Sequence, residues 1–133
     1  MIFMKILNQE QFNKIRNDDV IKVVDFFATW CGPCKMLRPI LEELSIEMTN
    51  SVEFIKINID ENMNLAQEYG VTAIPTLVFL KDGKEEERTV GFVPKDKLKD
   101  EILKRMWFFK KRWVIQAHLF YANKAFIVIK REI

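Results

Sequence analysis

Val20-Ile21-Lys22-Val23-Val24-Asp25-Phe26-Phe27-Ala28-Thr29-Trp30-Cys31-Gly32-Pro33-Cys34-Lys35 is the stretch of this chain that decides its architecture. Val20–Ala28 is an almost continuous apolar, β-branched and aromatic run, the pattern of a strand buried on both faces. From Gly32 to Met48 the apolar residues Met36, Leu37, Ile40, Leu41, Leu44 and Met48 recur at helical spacing, which predicts a helix kinked at Pro39. The passage is therefore a strand–turn–helix unit with both cysteines of the chain at the turn. If the segment opens a helix, Cys31 lies at its N-terminus, where unpaired amides and the helix dipole stabilise a thiolate, and Cys34 lies one turn inward. One sulfur can attack a disulfide and the other can resolve the product.

Two cysteines three positions apart also occur in zinc sites, and cysteines are often inert core residues. A closed structural zinc site takes four cysteine or histidine ligands, whereas this chain offers two cysteines and His118, which lies 84 positions beyond Cys34, so no metal site is expected. Cysteine-protease chemistry needs a histidine base, and the single histidine sits in an atypical tail. Redox chemistry is the reading that uses both thiols.

Working outward, Gln9–Asn17 reads as a helix, Val52–Ile59 as a second strong strand, and Asn62–Tyr69 as a short helix ended by Gly70. Thr76–Lys81 and Lys84–Val90 flank Asp82-Gly83, the strongest short-range signal for a two-residue hairpin. Pro94 suits the first turn of a closing helix whose stripe runs Leu98, Ile102 and Met106. The order βαβαβαββα implies an α/β fold: a mostly parallel central sheet of about five strands with an antiparallel edge and helices on both faces.

At 133 residues the chain has room for one core, and 49% hydrophobic with 30% charged residues is ordinary for a globular domain. Residues 1–15 mix polar and charged side chains with apolar ones, so no secretory signal is read there, and a cytoplasmic location is expected. In that compartment an isolated thiol pair is catalytic more often than structural. The net charge of +2 conceals an asymmetry, since residues 1–105 sum to −3 and residues 106–133 to +5. Residues 1–105 are accordingly read as the domain and 106–133 as a basic, aromatic extension. Two structures suit the extension: a continued helix through Met106, Phe109, Trp113, Ala117 and Phe120, or a hairpin of Trp113–Tyr121 and Ala125–Lys130. Either exposes aromatic surface unless it docks on the body, a second subunit or a membrane interface. A spanning helix is not expected, because Gln116, His118, Asn123 and Lys124 break the apolar run. Nucleic-acid binding has little support without a recognised module, and without a GxGxxG fingerprint no bound nicotinamide or flavin is expected.

The segment Val24–Lys35, with Trp30-Cys31-Gly32-Pro33-Cys34 at its centre, resembles the active-site signature of the thioredoxin family. Pro39 falls where that family kinks its active-site helix, Ala73-Ile74-Pro75-Thr76 resembles its cis-proline loop, and Val90-Gly91-Phe92 resembles the loop beside its dithiol. The resemblance spans roughly residues 2–105. It implies a thioredoxin fold and a cytoplasmic protein disulfide reductase with no bound cofactor. A reversible Cys31–Cys34 disulfide carries the electrons, which come from NADPH through a thioredoxin reductase and pass to disulfide-containing proteins. Gly32 and Pro33 shape the turn and resemble the pair of the reducing members, which lie near about −270 mV. An oxidase or isomerase on the same fold, or a non-enzymatic binding subunit, are the other readings.

Asp25 stands out on physical grounds, because a carboxylate inside an apolar strand is costly to bury as a charge and is expected to titrate upward; an exposed strand-face aspartate is the plain alternative. By resemblance it exchanges a proton with the resolving Cys34, and Lys56 on the next strand lies near it. By resemblance too, Pro75 packs against the dithiol and leaves the Ile74 backbone free to pair with an extended substrate segment. Trp30, Ala73, Ile74, Gly91 and Phe92 then form an apolar docking rim, although plain core packing also accounts for Trp30 and Phe92. Phe27 departs from the family, many of whose members carry tryptophan there, and the extension beyond residue 105 departs further.

Overall fold

The computed structural model describes residues 4–108 together with 110, 111, 115 and 119. Five strands form one sheet in the order β1-β3-β2-β4-β5: β1 (Met4–Ile6), β2 (Ile21–Phe27), β3 (Val52–Asn58), β4 (Thr76–Lys81) and β5 (Lys84–Val90). Between them lie α1 (Gln9–Ile15), α2 (Gly32–Glu47) and α3 (Met63–Glu68). Residues 95–108 are helical, and so are 110, 111, 115 and 119. By compactness the chain divides into Met1–Leu98 and Lys99–Ile133.

Strand direction follows from helix length. The 16 residues of α2 span about 24 Å, which matches the length of β2 and brings the chain back to start β3 parallel to it. The 6 residues of α3 span only about 9 Å, so the chain leaves α3 still near the end where β3 finished, and β4 enters the sheet from there, antiparallel to β2. The edge pair β4–β5 is antiparallel, as expected; the strand that runs against the other four is β4, inside the sheet, and the edge strand β5 is antiparallel only to β4. The β4–β5 turn falls on Asp82 and Gly83, with φ of 52° and 75°, the left-handed pair that a two-residue hairpin requires.

The alternation of side chains divides the core between the two faces. On one face Phe12 of α1 and Leu65 of α3 pack with Val24, Phe26, Ile55, Ile57, Val78 and Leu80. The intervening strand residues Val23, Asp25, Phe54, Leu77 and Phe79, all buried, therefore point to the face on which α2 lies against β1 and β3. Leu37, Leu41 and Leu44 give α2 a fully buried stripe, each such side chain contributing about 1.5–3 kcal/mol. Met36, one residue off that stripe, is 61% exposed, and Ile40 is half-buried, so the helix buries a narrower face than its apolar content suggests. Charged residues on the exposed edge strand β5 keep it from pairing with other chains.

Side-chain bonds fix the helix ends. Asn8 and Gln11 form a reciprocal capping box at α1. Asn62, which starts α3, accepts from the Gln9 amide (2.8 Å) and donates to the Asn58 carbonyl (3.0 Å), tying the start of α1 to the end of β3. The Pro94 carbonyl accepts from the Leu98 amide (3.0 Å), so Pro94 caps the helical residues 95–108 from outside rather than occupying their first turn. Residues 115 and 119, which the hairpin alternative assigns to a strand, are helical; the rest of that alternative, including Ala125–Lys130, lies outside the described residues.

Candidate active site

Four chain segments meet where β2 and β3 end and β4 begins. The Ile59 amide bonds the Phe27 carbonyl (2.9 Å), Thr76 pairs with both Phe26 and Val90, and the Gly91 amide bonds the Pro75 carbonyl (2.8 Å). The dithiol loop, the residues after β3, the loop before β4 and the loop after β5 are thus gathered at one end of the sheet.

Cys31 and Cys34 are joined as a disulfide with a Cα–Cα distance of 5.3 Å. Cys31 is the N-cap of α2 with extended backbone, Pro33 sits in the first turn, and the Cys34 amide donates to the Cys31 sulfur (3.2 Å). Both cysteines are nearly covered, at 4% and 6% exposure, within a cluster of Ala28, Phe27, Ile59 and Ile74. Gly32 and Pro33, between them, are exposed.

The Ile74–Pro75 peptide bond is cis, and the Ile74 carbonyl oxygen lies 3.7 Å from the Cys31 sulfur. The Thr76 hydroxyl donates to the Ala73 carbonyl (2.6 Å) and closes this loop. Gly91 has φ of 87°, a conformation that side chains with a Cβ rarely adopt, although open space surrounds the position. Trp30 is 68% and Phe92 43% exposed, Ala73 is exposed, and Ile74 and Gly91 are half-buried. Trp30, Ala73 and Phe92 are thus surface rather than core, whereas Ile74 packs against the disulfide cluster. The Trp30 ring is held from the side, its Nε1 donating to Asp60 Oδ2 (2.9 Å).

Asp25 is 2% exposed, and among the described residues its Oδ1 has no hydrogen-bond partner. Burial pushes its carboxyl up from 3.8 to about 7, against the opposing pull of the Lys56 ammonium. Lys56 is opposite Asp25 in the β2–β3 register, and its Nζ stands 4.2 Å from the centre of the Phe27 ring. Desolvation lowers the Lys56 pKa, Asp25 raises it, and Arg38 lowers it again. A groove of about 680 Å³ beside this pair is lined by residues that include Phe27, Thr29, Arg38, Glu42, Lys56 and Asn58, and it gives Lys56 contact with solvent.

Sequence reading did not single out three contributors: Asp60, which fixes Trp30; Thr76, which closes the Ala73–Pro75 loop; and Asn62, which anchors the segment after β3. Asp60 and Asn62 sit in an Asp-Glu-Asn run that reads as an ordinary polar loop, and nothing in it signals a partner 30 positions away for the one and 53 for the other.

Comparison with known proteins agrees with this geometry. The Thioredoxin family model matches residues 3–104. The chain is 44% identical over 106 residues to the thioredoxin of Bacillus subtilis, covering 80% of this chain and 100% of that one. It is 48% identical over 95 residues to the thioredoxin of Chlamydia caviae, covering 71% and 91%. The crystal structure of the Malassezia sympodialis thioredoxin superposes with a TM-score of 0.72 at 37% identity, covering 77% of this chain and 90% of that one. With a five-stranded mixed sheet of the same fold and a redox disulfide on Cys31 and Cys34, the chain belongs to the thioredoxin family and is a protein disulfide reductase.

Proposed function

We propose that Cys31 is the attacking nucleophile, Cys34 the resolving thiol and Asp25 the base that serves it. In the reduced protein the Cys31 thiolate attacks a substrate disulfide, forms a mixed disulfide and expels one substrate thiolate. Cys34 then gives its proton to Asp25 and attacks the Cys31 sulfur. The second substrate thiolate leaves, and the Cys31–Cys34 disulfide remains. Two electrons pass to the substrate, and the departing thiolates take up two protons.

One observation carries the order of attack: Cys31 is the N-cap of α2, and its sulfur receives the Cys34 amide, the contact that favours negative charge at that atom. Exposure does not discriminate, because both cysteines are nearly covered. The Ile74 carbonyl beside Cys31 supports a substrate main chain docking along the Ala73–Pro75 loop, with Trp30, Gly91 and Phe92 as apolar flanks. Gly32 and Pro33 hold the turn open on the solvent side. The chain works in the cytoplasm and is re-reduced by a thioredoxin reductase that draws on NADPH, as the family implies for a dithiol that needs an external donor after each turnover.

Reductase-coupled turnover of a protein disulfide tests this. Cys31→Ser is expected to abolish turnover. Cys34→Ser is expected to stall as mixed disulfides between substrate and Cys31, identifiable by mass spectrometry. Substrate trapped instead on Cys34 of the Cys31→Ser protein overturns the assignment.

A further inference from the structure

The dithiol chemistry makes no use of residues 99–119, which carry their own surface. Leu103, Trp107, Phe108, Ile115 and Leu119 are helical, and their exposures are 43%, 59%, 72%, 52% and 61%. At 100° per residue Leu103, Trp107 and Phe108 fall within an arc of about 140°, one broad side of the helical residues 95–108. Lys104 falls in the same arc, and the Lys111 ammonium stands 4.7 Å from the centre of the Trp107 ring. Between Glu101 and Glu132 the sequence holds no acidic residue and 8 basic ones.

We infer that this side of the helix is an interfacial surface for an anionic membrane, the helix lying in the plane of the headgroups. Charge selects the occupant. Lys104 is already paired with Glu101 (3.5 Å), but beyond Glu101 a second copy laid along this stretch would set Lys110 and Lys111 against their like, with no carboxylate before Glu132 to compensate. A single-stranded nucleic acid is held chiefly by aromatic planes and cations, which leaves the exposed aliphatic Leu103, Ile115 and Leu119 without the apolar phase that an acyl boundary supplies. An anionic lipid surface uses both classes together: lysine heads reach phosphates while tryptophan and aliphatic side chains enter the acyl boundary. Among the described residues no helix is long and apolar enough to cross a membrane.

Sedimentation of the full chain with vesicles tests this, using phosphatidylcholine alone and phosphatidylcholine mixed with phosphatidylglycerol. Partitioning is expected to be at least roughly tenfold stronger on the mixed vesicles, to fall as salt is raised, and to drop by about tenfold in Lys110→Glu/Lys111→Glu. Trp107→Ser is expected to weaken binding severalfold on the same vesicles. Disulfide turnover measured alongside reports whether each variant is folded, since none of these residues belongs to the dithiol machinery. Equal binding to both vesicle types, or binding unaffected by the double charge reversal, overturns the inference. So does self-association in light scattering without vesicle binding, or tighter retention by a single-stranded oligonucleotide than by the anionic vesicles.

Discussion

Lys22 and Asp25 stand three residues apart on β2 and are both buried, yet their surroundings differ in kind. Lys22 is fully covered and fully partnered: its ammonium bonds Asp18 and the Val20 carbonyl (3.1 Å) and lies 3.6 Å from Glu53. Burial pushes the Asp18 carboxyl up, but the Lys22 ammonium and the Val20 amide outweigh it, and its pKa sits below the ordinary value. Asp25, in the middle of the strand, leaves Oδ1 without a partner among the described residues and is pushed up to about 7. Stem length explains the difference. Four methylenes carry the lysine charge to the sheet rim, whereas one methylene leaves the aspartate charge where the strand puts it. A buried charge that reaches partners is structural, and one held away from them is poised to exchange a proton near neutral pH.

The strongest challenge to this contrast is the pH dependence of stability. The carboxyl of Asp25 has an ordinary value of 3.8 and a folded value of about 7, so between these limits the folded state binds more protons than the unfolded one. Stability therefore falls as pH rises through that window, and the loss is complete above it. Asp25→Asn does not titrate, so in denaturant unfolding of the oxidised protein its stability relative to the parent is expected to rise by roughly 3–4 kcal/mol between about pH 4 and about pH 8. A difference that stays constant with pH means that Asp25 is ordinary and the contrast with Lys22 is false.

Turnover is the second challenge. If Asp25 accepts the Cys34 proton, Asp25→Asn lowers reductase-coupled turnover by roughly tenfold to a hundredfold above pH 7. The deficit narrows at lower pH, where the parent carboxyl is itself protonated. Equal rates from about pH 6 to about pH 9 remove Asp25 from the mechanism and leave it a structural oddity.

The contrast was only half legible in the sequence. Asp25 announced itself as a carboxylate in an apolar run, and the Trp30–Cys34 loop and the Asp82-Gly83 hairpin rest on local chemistry that a linear reading captures. Lys22, in the same run, gave no such signal, because its meaning depends on Asp18 and Glu53 reaching it from a loop and a neighbouring strand. The same limit hid the Asp60 bond to Trp30, and it hid the internal position of β4, which is decided by how far α3 carries the chain. The order βαβαβαββα implied a first strand, but three residues at Met4–Ile6 are too few to show a period of their own.

A third, smaller effect tests the structural half. Lys22→Met keeps an apolar stem in place of the covered one but leaves Glu53 to Lys5, which already bonds it at 3.0 Å, and leaves Asp18 to solvent. A cost of about 1–2 kcal/mol is expected, with turnover unchanged. A turnover defect without a matching loss of stability would mean that this charge, too, communicates with the dithiol.

The smallest effect probes the link between Asp25 and Lys56. Lys56 holds the Asp25 carboxyl below where burial alone would put it, but the ammonium is half-buried and borders a groove open to solvent, which screens the interaction. Lys56→Met is therefore expected to raise the Asp25 titration only slightly and to move the pH profile of turnover upward by the same amount. The maximal rate should change little. Carbon-detected NMR of the Asp25 carboxyl and the turnover profile measure the shift independently, and they must agree if one titration governs both. A shift in the NMR titration with no movement of the profile would show that the buried carboxyl feels Lys56 but does not limit the reaction, and that the proton from Cys34 takes another route.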